Sequence, residues 1–298
     1  MRLATTTASD NIISQIQMLS AQQSKLQTQV STGQRISVVE DDPAAAGRVL
    51  ILNSEQRAIT QFGNNATHAL ELSQATFSSL QAIKKISDRA TELGTLGSGT
   101  QSSQQTQAYA SELDQLIEQG VQQANSRLGN DSLFAGTALN VAPYTVTRNA
   151  QNQITAVAFV GNSNQTSIQL SSTAAINPGA DSTTTQGIKD FLNHLVALRD
   201  ALQVGNSAAV ATVQTGLITT EDTFVSSLAQ QGAVQTRIEV NQSQQSDRAQ
   251  ELQKLVSGEV DADMPSTIVR LNQAQTAYQA SLQSSAKIMK LSLLDYIN

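Results

Sequence analysis

Residues 11–33 read NIISQIQMLSAQQSKLQTQVSTG, and the spacing of their apolar side chains decides the fold. Such side chains recur at steps of three, four and seven positions, which is typical of a heptad seam along one face of an α-helix. The helix is expected to stop near Gly33, because glycine weakens helices. The seam consists of Ile12, Ile16, Leu19, Leu26 and Val30.

The other end of the chain carries a matching arm, which we expect to be helical from about Pro265. Chain ends are usually polar and fray unless they dock onto something, yet this one is strongly apolar. Residues 1–42 are therefore predicted to form an N-terminal arm that pairs with a C-terminal arm at 257–298. The apolar positions of the second arm are Leu271, Tyr278, Leu282, Met289, Leu293, Leu294, Tyr296 and Ile297.

Between the arms, two long helical segments flank a different kind of sequence. Asp42 and Pro43 are typical of a helix start, because the carboxylate caps free N–H groups and proline needs none in the first turn. Residues 43–136 and 187–256 are predicted to be the two halves of a helical body. In the β-rich insert at 137–186, YTVT and ITAVAFV indicate a hairpin and SIQL a third strand.

This arrangement predicts a mainly α fold: a long antiparallel coiled-coil helical bundle formed by the N- and C-terminal halves, with a small β-rich inserted domain. Before the insert the chain has an arm, a break and a long helix, and after it a long helix, a break and an arm. We therefore expect the chain to fold back at the insert.

Composition excludes several classes of function. The chain has 298 residues, no cysteine and a net charge of −6, so neither a disulfide scaffold nor a basic nucleic-acid surface is expected. No run approaches the roughly 20 apolar residues of a membrane span. The opening MRLATTTASDN lacks the apolar region of a signal peptide, so any export is expected to avoid a cleaved signal.

The polar faces of the arms are nearly uncharged. Up to Thr32 the ionised side chains are Arg2, Asp10 and Lys25, and glutamine, serine and threonine fill the rest. Copies of one chain packed side by side bring like charges together, which is costly. We therefore predict that both arms are covered in an assembly, with the apolar positions above as its interface. An ordinary bundle with a glutamine-rich composition is the alternative.

No catalytic, cofactor or metal site is predicted, and the chain is not expected to be an enzyme. Glu40, Asp41 and Asp42 could hold a cation, but helix capping by Asp42 explains them without a ligand. His68 and His194 stand alone within helical patterns, which argues against zinc. An enzyme with its active site in the β-rich insert would need an acidic or histidine cluster between Thr137 and Thr185, and none occurs there.

Three motifs carry a family resemblance. The first arm followed by STGQRISVVEDDPAAAGRVL resembles the first block of the flagellin superfamily. RLGNDSLFAGT, at 127–137, and the ending LSLLDYIN are similar to elements of its hook-associated type 3 branch. Pro265 departs from the family pattern, which usually has no proline there.

The resemblance implies a structural subunit at the junction between the flagellar hook and filament. Its implied partners are further copies of itself in a ring, hook-associated protein type 1, flagellin, and a cytoplasmic export chaperone that binds the C-terminal arm. The implied location is the extracellular flagellum, reached through the flagellar type III channel. A minor filament flagellin and a secreted wall hydrolase on a flagellin-like frame are the alternatives.

Overall fold

A computed structural model describes residues 2–99 and 101–297, with side chains described for 10–99 and 101–287. The prediction of a mainly α fold is confirmed. The helices are α1 (Arg2–Thr32), α2 (Pro43–Gly97), α3 (Ser103–Ala124), α4 (Ser182–Gln203), α5 (Ser207–Val260) and α6 (Met264–Ile297). The strands are β1 (Arg127–Leu128), β2 (Asp131–Ser132), β3 (Tyr144–Arg148), β4 (Ile154–Phe159), β5 (Ile168–Gln169) and β6 (Ala175–Ile176).

The chain forms two compact units. The terminal unit comprises Met1–Ala58 and Arg248–Asn298, and the central unit comprises Ile59–Asp247. In the terminal unit α1 packs along α6. The end of α1 is joined to the start of α6 by a hydrogen bond from the Ala262 N–H to the Gly33 carbonyl, 2.8 Å. Since one helix ends and the other begins there, the two run antiparallel.

In the central unit α2 and α5 also run antiparallel. Ser73 lies against Gln231 (Oγ to Oε1, 3.0 Å). Further along α2, the Lys84 ammonium lies 3.3 Å from the Glu221 carboxylate, which is earlier on α5. Residue numbers thus rise on one helix as they fall on the other, as the folded-back arrangement predicts.

The core of the central unit joins its helices to one hairpin. Phe191 on α4 and Phe224 on α5 pack edge to face, with ring centroids 5.3 Å apart. Fully or nearly buried side chains surround them: Leu80, Ile83, Leu93, Leu113, Ile117, Phe134, Tyr144, Ile154, Ile188, Leu192, Leu195, Leu198 and Leu217. Burying apolar side chains of this size is the main force that stabilises a domain.

The predicted hairpin is confirmed. β3 and β4 are antiparallel, with Tyr144 opposite Phe159, and their rings lie 5.4 Å apart. The third predicted strand is reduced to β5, which pairs with β6 in a separate two-stranded sheet. This sheet has two residue pairs in register, beginning with Ile168 opposite Ile176, and β1 and β2 form another two-stranded sheet.

Two helix boundaries differ from the sequence prediction. α4 begins at Ser182, before the expected Gly187, because the Asp181 carboxylate caps it by accepting from the Thr184 N–H at 2.7 Å. α5 continues past residue 256 to Val260, so only 261–263 separate it from α6. α6 begins at Met264, and Pro265 lies in its first turn, where no N–H donor is required.

Arg199 fastens the hairpin to the helices of the central unit. Its side chain on α4 is only 2% exposed. One guanidinium nitrogen donates to the Asp114 carboxylate on α3 (2.9 Å) and to the Ile154 carbonyl on β4 (2.7 Å). Asp200 accepts from the rest of the fork, at 2.6 and 2.9 Å. The side chain therefore links α4 to α3 and β4 through hydrogen bonds.

We expect Arg199→Met to lower the free energy of unfolding of the central unit by about 2–3 kcal/mol, because a buried carbonyl and a carboxylate lose their donor. Urea unfolding followed by circular dichroism measures the loss. The exposed Arg237 makes no ion pair within the described chain, so Arg237→Met should change the value by less than about 0.5 kcal/mol. Equal effects of the two substitutions would contradict this role.

Candidate assembly surface of the terminal unit

The predicted arm residues occupy different environments in the single chain. Leu26 is buried and Leu282 is exposed. Met289, Leu293, Leu294, Tyr296 and Ile297 lie in α6 by their backbone, but their side chains are outside the described residues. The remaining predicted positions are half-buried: Ile12, Ile16, Leu19, Val30, Leu271 and Tyr278.

The terminal unit has a thin core. Among its described side chains, only a few apolar ones are buried, and most of these are small: Leu26, Ala45, Ala46, Leu252 and Ala274. Leu26 and Ala274 lie on α1 and α6, and the others lie on α2 and α5. A pair of helices can cover only the faces turned toward each other. Among the described residues, this unit has no continuous core like that of the central unit.

Large apolar side chains are instead exposed on the terminal unit. Leaving a Leu, Ile or Val in water forgoes about 1.5–3 kcal/mol per side chain relative to full burial. The exposed residues are Ile13, Met18, Val38, Val39, Leu50, Ile51, Leu255, Ile268, Val269 and Leu282.

The two chain breaks of this unit meet in a single structure, which we call the joint and define as residues 33–42 and 261–263. Gly33 has φ +72°, a conformation that favours glycine at a helix C-terminus. Gln34 and Asp261 form an antiparallel bridge, and the Arg35 N–H donates to the Val260 carbonyl at 2.6 Å. The joint thereby fixes where α1 ends and where α6 begins.

Ion pairs reinforce the joint. Arg48 on α2 holds the Glu259 carboxylate with two nitrogens, at 2.9 and 2.8 Å. Arg35 donates to the Glu259 carbonyl (2.8 Å) and to the Asp42 carboxylate (3.2 Å). The hydrogen bond from Arg48 lowers the pKa of Glu259. Planar guanidinium groups suit such paired contacts with a carboxylate.

Asp41 organises the turn before α2. One carboxylate oxygen accepts from the Ser37 and Val38 N–H groups, at 3.0 and 3.2 Å. The other lies 2.8 Å from the Lys25 ammonium on α1. The Lys25 hydrogen bond, followed by the two backbone donors, holds the pKa of Asp41 well below its ordinary value of 3.8.

Asp41 and Asp42 in the acidic run at 40–42 thus have structural roles. Asp42 caps α2, as predicted, by accepting from the Ala45 N–H at 3.0 Å, and this bond lowers its pKa.

Among the described residues no group of three or more His, Cys, Asp or Glu side chains is placed to hold a metal ion. No helix in the described part of the chain is both long and apolar enough to cross a membrane.

Charge is divided unevenly between the units. The terminal unit contains ten acidic and ten basic residues and is neutral overall, so the net charge of −6 belongs to the central unit. A neutral surface with exposed apolar side chains can approach a copy of itself without strong repulsion.

Sequence reasoning missed the Arg35–Glu259–Arg48 contacts, because nothing in the spacing shows that two distant breaks meet.

The N-terminal part of the chain is similar to a helical region of flagellins. The family model described as the bacterial flagellin N-terminal helical region matches residues 3–138. Over 98% of both lengths, the chain is 26% identical to flagellar hook-associated protein 3 of Salmonella typhimurium. It is also 26% identical to the protein of that name from Escherichia coli, over 89% of this chain and 90% of that one. The resemblance to the flagellin superfamily and its hook-associated type 3 branch is confirmed.

Solved structures share the fold. A putative flagellar hook-associated protein from Vibrio parahaemolyticus aligns with a TM-score of 0.66 at 16% identity, over 74% of this chain and all of that one. FlgL from Bacillus cereus aligns with a TM-score of 0.60 at 17% identity, over 70% of this chain and 99% of that one.

We expect Asp41→Asn to lower the thermal midpoint of the terminal unit at neutral pH, because the Lys25 ion pair is lost. A carboxyl group whose pKa falls on folding stabilises the fold above its unfolded pKa, and this contribution disappears as pH falls through the folded pKa. The difference from the unchanged chain should therefore shrink below about pH 4. Circular dichroism melts over a pH series measure it.

Glu40→Gln is the matched control, since Glu40 forms no ion pair within the described chain. It should leave the midpoint nearly unchanged across the same pH range. A difference for Asp41→Asn that grows in acid would contradict the assigned role of the carboxylate.

Proposed function

We propose that this chain is a structural subunit of the bacterial flagellum that forms the junction between the hook and the flagellin filament. The observation that carries the proposal is full-length similarity to flagellar hook-associated protein 3. The matched flagellin helical region supports the same role. The proposed location is the extracellular flagellum, and the proposed role is mechanical rather than catalytic.

The terminal unit supports an assembly mechanism. Its exposed apolar side chains and zero net charge favour burial against neighbouring subunits, and the joint sets the direction in which both arms leave the rest of the unit. In this mechanism the arms form the inner tube of the junction and the long helices form its wall. The interface would consist of the seam residues from Ile12 to Val30 together with those from Leu271 to Ile297.

We further propose which molecules these surfaces meet. Copies of the chain form a ring, one side of which contacts hook-associated protein type 1 and the other flagellin. Before assembly the exposed apolar arms would aggregate, so we propose that a cytoplasmic export chaperone binds the C-terminal arm. Export would then proceed through the flagellar type III channel, with the chain unfolded.

A minor filament flagellin is the main alternative, because the flagellin region by itself fits both roles. The similarity to hook-associated protein 3 extends over the whole chain rather than this region alone, which favours the junction. A secreted wall hydrolase is a weaker alternative, since no acidic or histidine cluster lies between Thr137 and Thr185.

We expect deletion of the gene for this chain to leave hooks without filaments, because flagellin then has no lattice on which to polymerise. Electron microscopy of the cells and an assay for flagellin released into the medium measure the effect. Full-length filaments in the deletion strain would favour the minor flagellin, and peptidoglycan digestion by the purified chain would favour the hydrolase.

We expect removal of Leu291–Asn298 to leave a folded central unit that cannot join the flagellum, because the core of that unit lies within 59–247. Circular dichroism checks folding of the purified variant, and swimming of cells that produce it checks assembly. Replacing the same eight residues by serine should have the same effect. Normal swimming with either variant would refute a role for the C-terminal end.

A further inference from the structure

Helix α5 carries a second apolar seam, on a side that faces solvent. Its inner seam is buried, with Leu217 and Phe224 in the core of the central unit. On the outer side, exposed residues follow one another at steps of four, three and four positions, which places their side chains on one helix face. Ile218 is 53% and Val225 is 50% exposed. We call this outer set the α5 stripe: Ile218, Asp222, Val225 and Ala229.

The β3–β4 hairpin also has an exposed face, on the side away from the core. Successive strand residues point to opposite faces of a sheet, and the buried Tyr144 and Val157 mark the inner face. The Val160 N–H donates to the Pro143 carbonyl at 2.8 Å and so continues the ladder past β4. The outward residues are all exposed, and we call them the hairpin face: Thr145, Thr147, Ala156, Ala158 and Val160.

The hairpin face differs from the usual solvent side of an antiparallel sheet, which carries polar side chains. It has two alanines and Val160, which is 47% exposed, and it has no charged residue. The hydroxyl groups of Thr145 and Thr147 form no hydrogen bond within the described chain. The hairpin therefore presents small uncharged side chains together with free hydroxyl groups.

The two surfaces belong to different sides of the central unit, because α4 lies between α5 and the hairpin. Phe191 on α4 packs against Phe224 on α5. The Asn193 side chain on α4 holds β4, accepting from the Val157 N–H at 3.0 Å and donating to its carbonyl at 2.9 Å. Residues two positions apart are about 200° apart around a helix. Phe191 and Asn193 thus reach α5 and β4 from opposite sides of α4.

Charge limits which surfaces of the central unit can meet in an assembly. This unit carries the net charge of −6, so copies repel each other wherever their acidic residues come together. The α5 stripe has one acid and the hairpin face has none. Exposed acids occur on the other helices of the unit: Glu71, Asp88 and Glu92 on α2, Glu118 on α3, and Asp190 and Asp200 on α4.

The α5 stripe and the hairpin face complement each other. β3 has five residues, about 17 Å at 3.4 Å per residue, and Ile218 to Ala229 also spans about 17 Å of helix at 1.5 Å per residue. Asp222 forms no ion pair within the described chain. Its carboxylate needs hydrogen-bond donors once the stripe is covered, and the free threonine hydroxyls of the hairpin face can donate to it.

We propose that the α5 stripe of one copy of this chain packs on the hairpin face of the next copy, as a helix on a two-stranded sheet. This rests on the proposed function, since it specifies one lateral contact between copies in the ring. The contact joins two different surfaces head to tail, so all copies keep the same orientation. Contacts of this kind close into a ring when the rotation between neighbours allows it.

Site-directed cross-linking tests the contact, and the chain suits it because it has no cysteine. Full-length Val225→Cys is mixed with full-length Ala158→Cys or Ala156→Cys, because a disulfide needs closely placed Cβ atoms. Under copper phenanthroline two thiols form one disulfide, copper(II) accepts the two electrons and the solvent takes the two protons. We expect mixed dimers well above the yield of a control mixture, Val225→Cys with Val204→Cys, since Val204 is exposed but lies on neither surface.

The single variants distinguish a head-to-tail contact from a two-fold one. Oxidised alone, Val225→Cys and Ala158→Cys should each give few dimers, because identical positions do not meet across this contact. A chain with both cysteines should give a ladder of longer products, since every copy then offers both surfaces. Equal yields in mixed and unmixed samples would overturn the proposal, as would mixtures no better than the Val204→Cys control.

A charge on the α5 stripe should weaken the contact. Ile218→Glu in the Val225→Cys chain should lower the yield of mixed dimers about tenfold, because an apolar side chain is lost from the interface and a second acid joins Asp222. Thr212→Glu in the same chain is the matched control, since Thr212 is exposed on α5 outside the stripe, and it should leave the yield nearly unchanged. Circular dichroism checks that both variants fold. Equal losses with the two substitutions would refute the role of the stripe.

Failure of this contact and failure of the junction role give different results. Cross-linking uses the purified chain without hook or filament proteins, whereas the gene deletion tests the junction role in cells. Missing filaments in the deletion strain without mixed dimers in the cross-linking would retain the junction role and remove this contact. Mixed dimers together with full-length filaments in the deletion strain would retain the contact and remove the junction role.

Discussion

The structure of the terminal unit depends on one constraint: two paired helices can bury only the faces that they turn toward each other. The seam between α1 and α6 buries Leu26 and Ala274 but leaves Ile13, Met18 and Leu282 exposed. Because the hydrophobic effect scales with the area removed from water, these exposed side chains stabilise the unit less than buried ones would, and we propose that other molecules cover them.

The central unit buries many of its apolar side chains within one chain. There α2 and α5 are joined by α3, α4 and the β3–β4 hairpin, so apolar side chains are covered from several directions. Arg199 links α4 to α3 and β4 through the Asp114 carboxylate and the Ile154 carbonyl. The net charge of −6 also belongs to this unit. The net charge therefore lies on the unit with the larger core, while the neutral unit has most of the exposed large apolar side chains in the described part of the chain.

Much of the fold could be predicted because its elements are long and periodic. The seam from Ile12 to Val30, the cap at Asp42 and the hairpin turn after Arg148 are local patterns, in which side chains few positions apart meet. Boundaries set by tertiary contacts were harder to predict. α4 begins at Ser182, capped by Asp181, rather than near Gly187, and α5 continues to Val260, where the joint ends it. The arm residues past Lys287 remain a prediction, since their side chains lie outside the described residues.

By itself the sequence determined the helical class, the pairing of like seams, the β hairpin and the likeness to flagellins, because each rests on spacing or on a contiguous motif. Only the tertiary structure decided that Arg35, Arg48 and Glu259 meet at one joint. It also decided that Val38, Val39, Leu50 and Ile51 stay in water. Both results depend on contacts between residues about two hundred positions apart or on surface left uncovered, and neither is encoded in local periodicity.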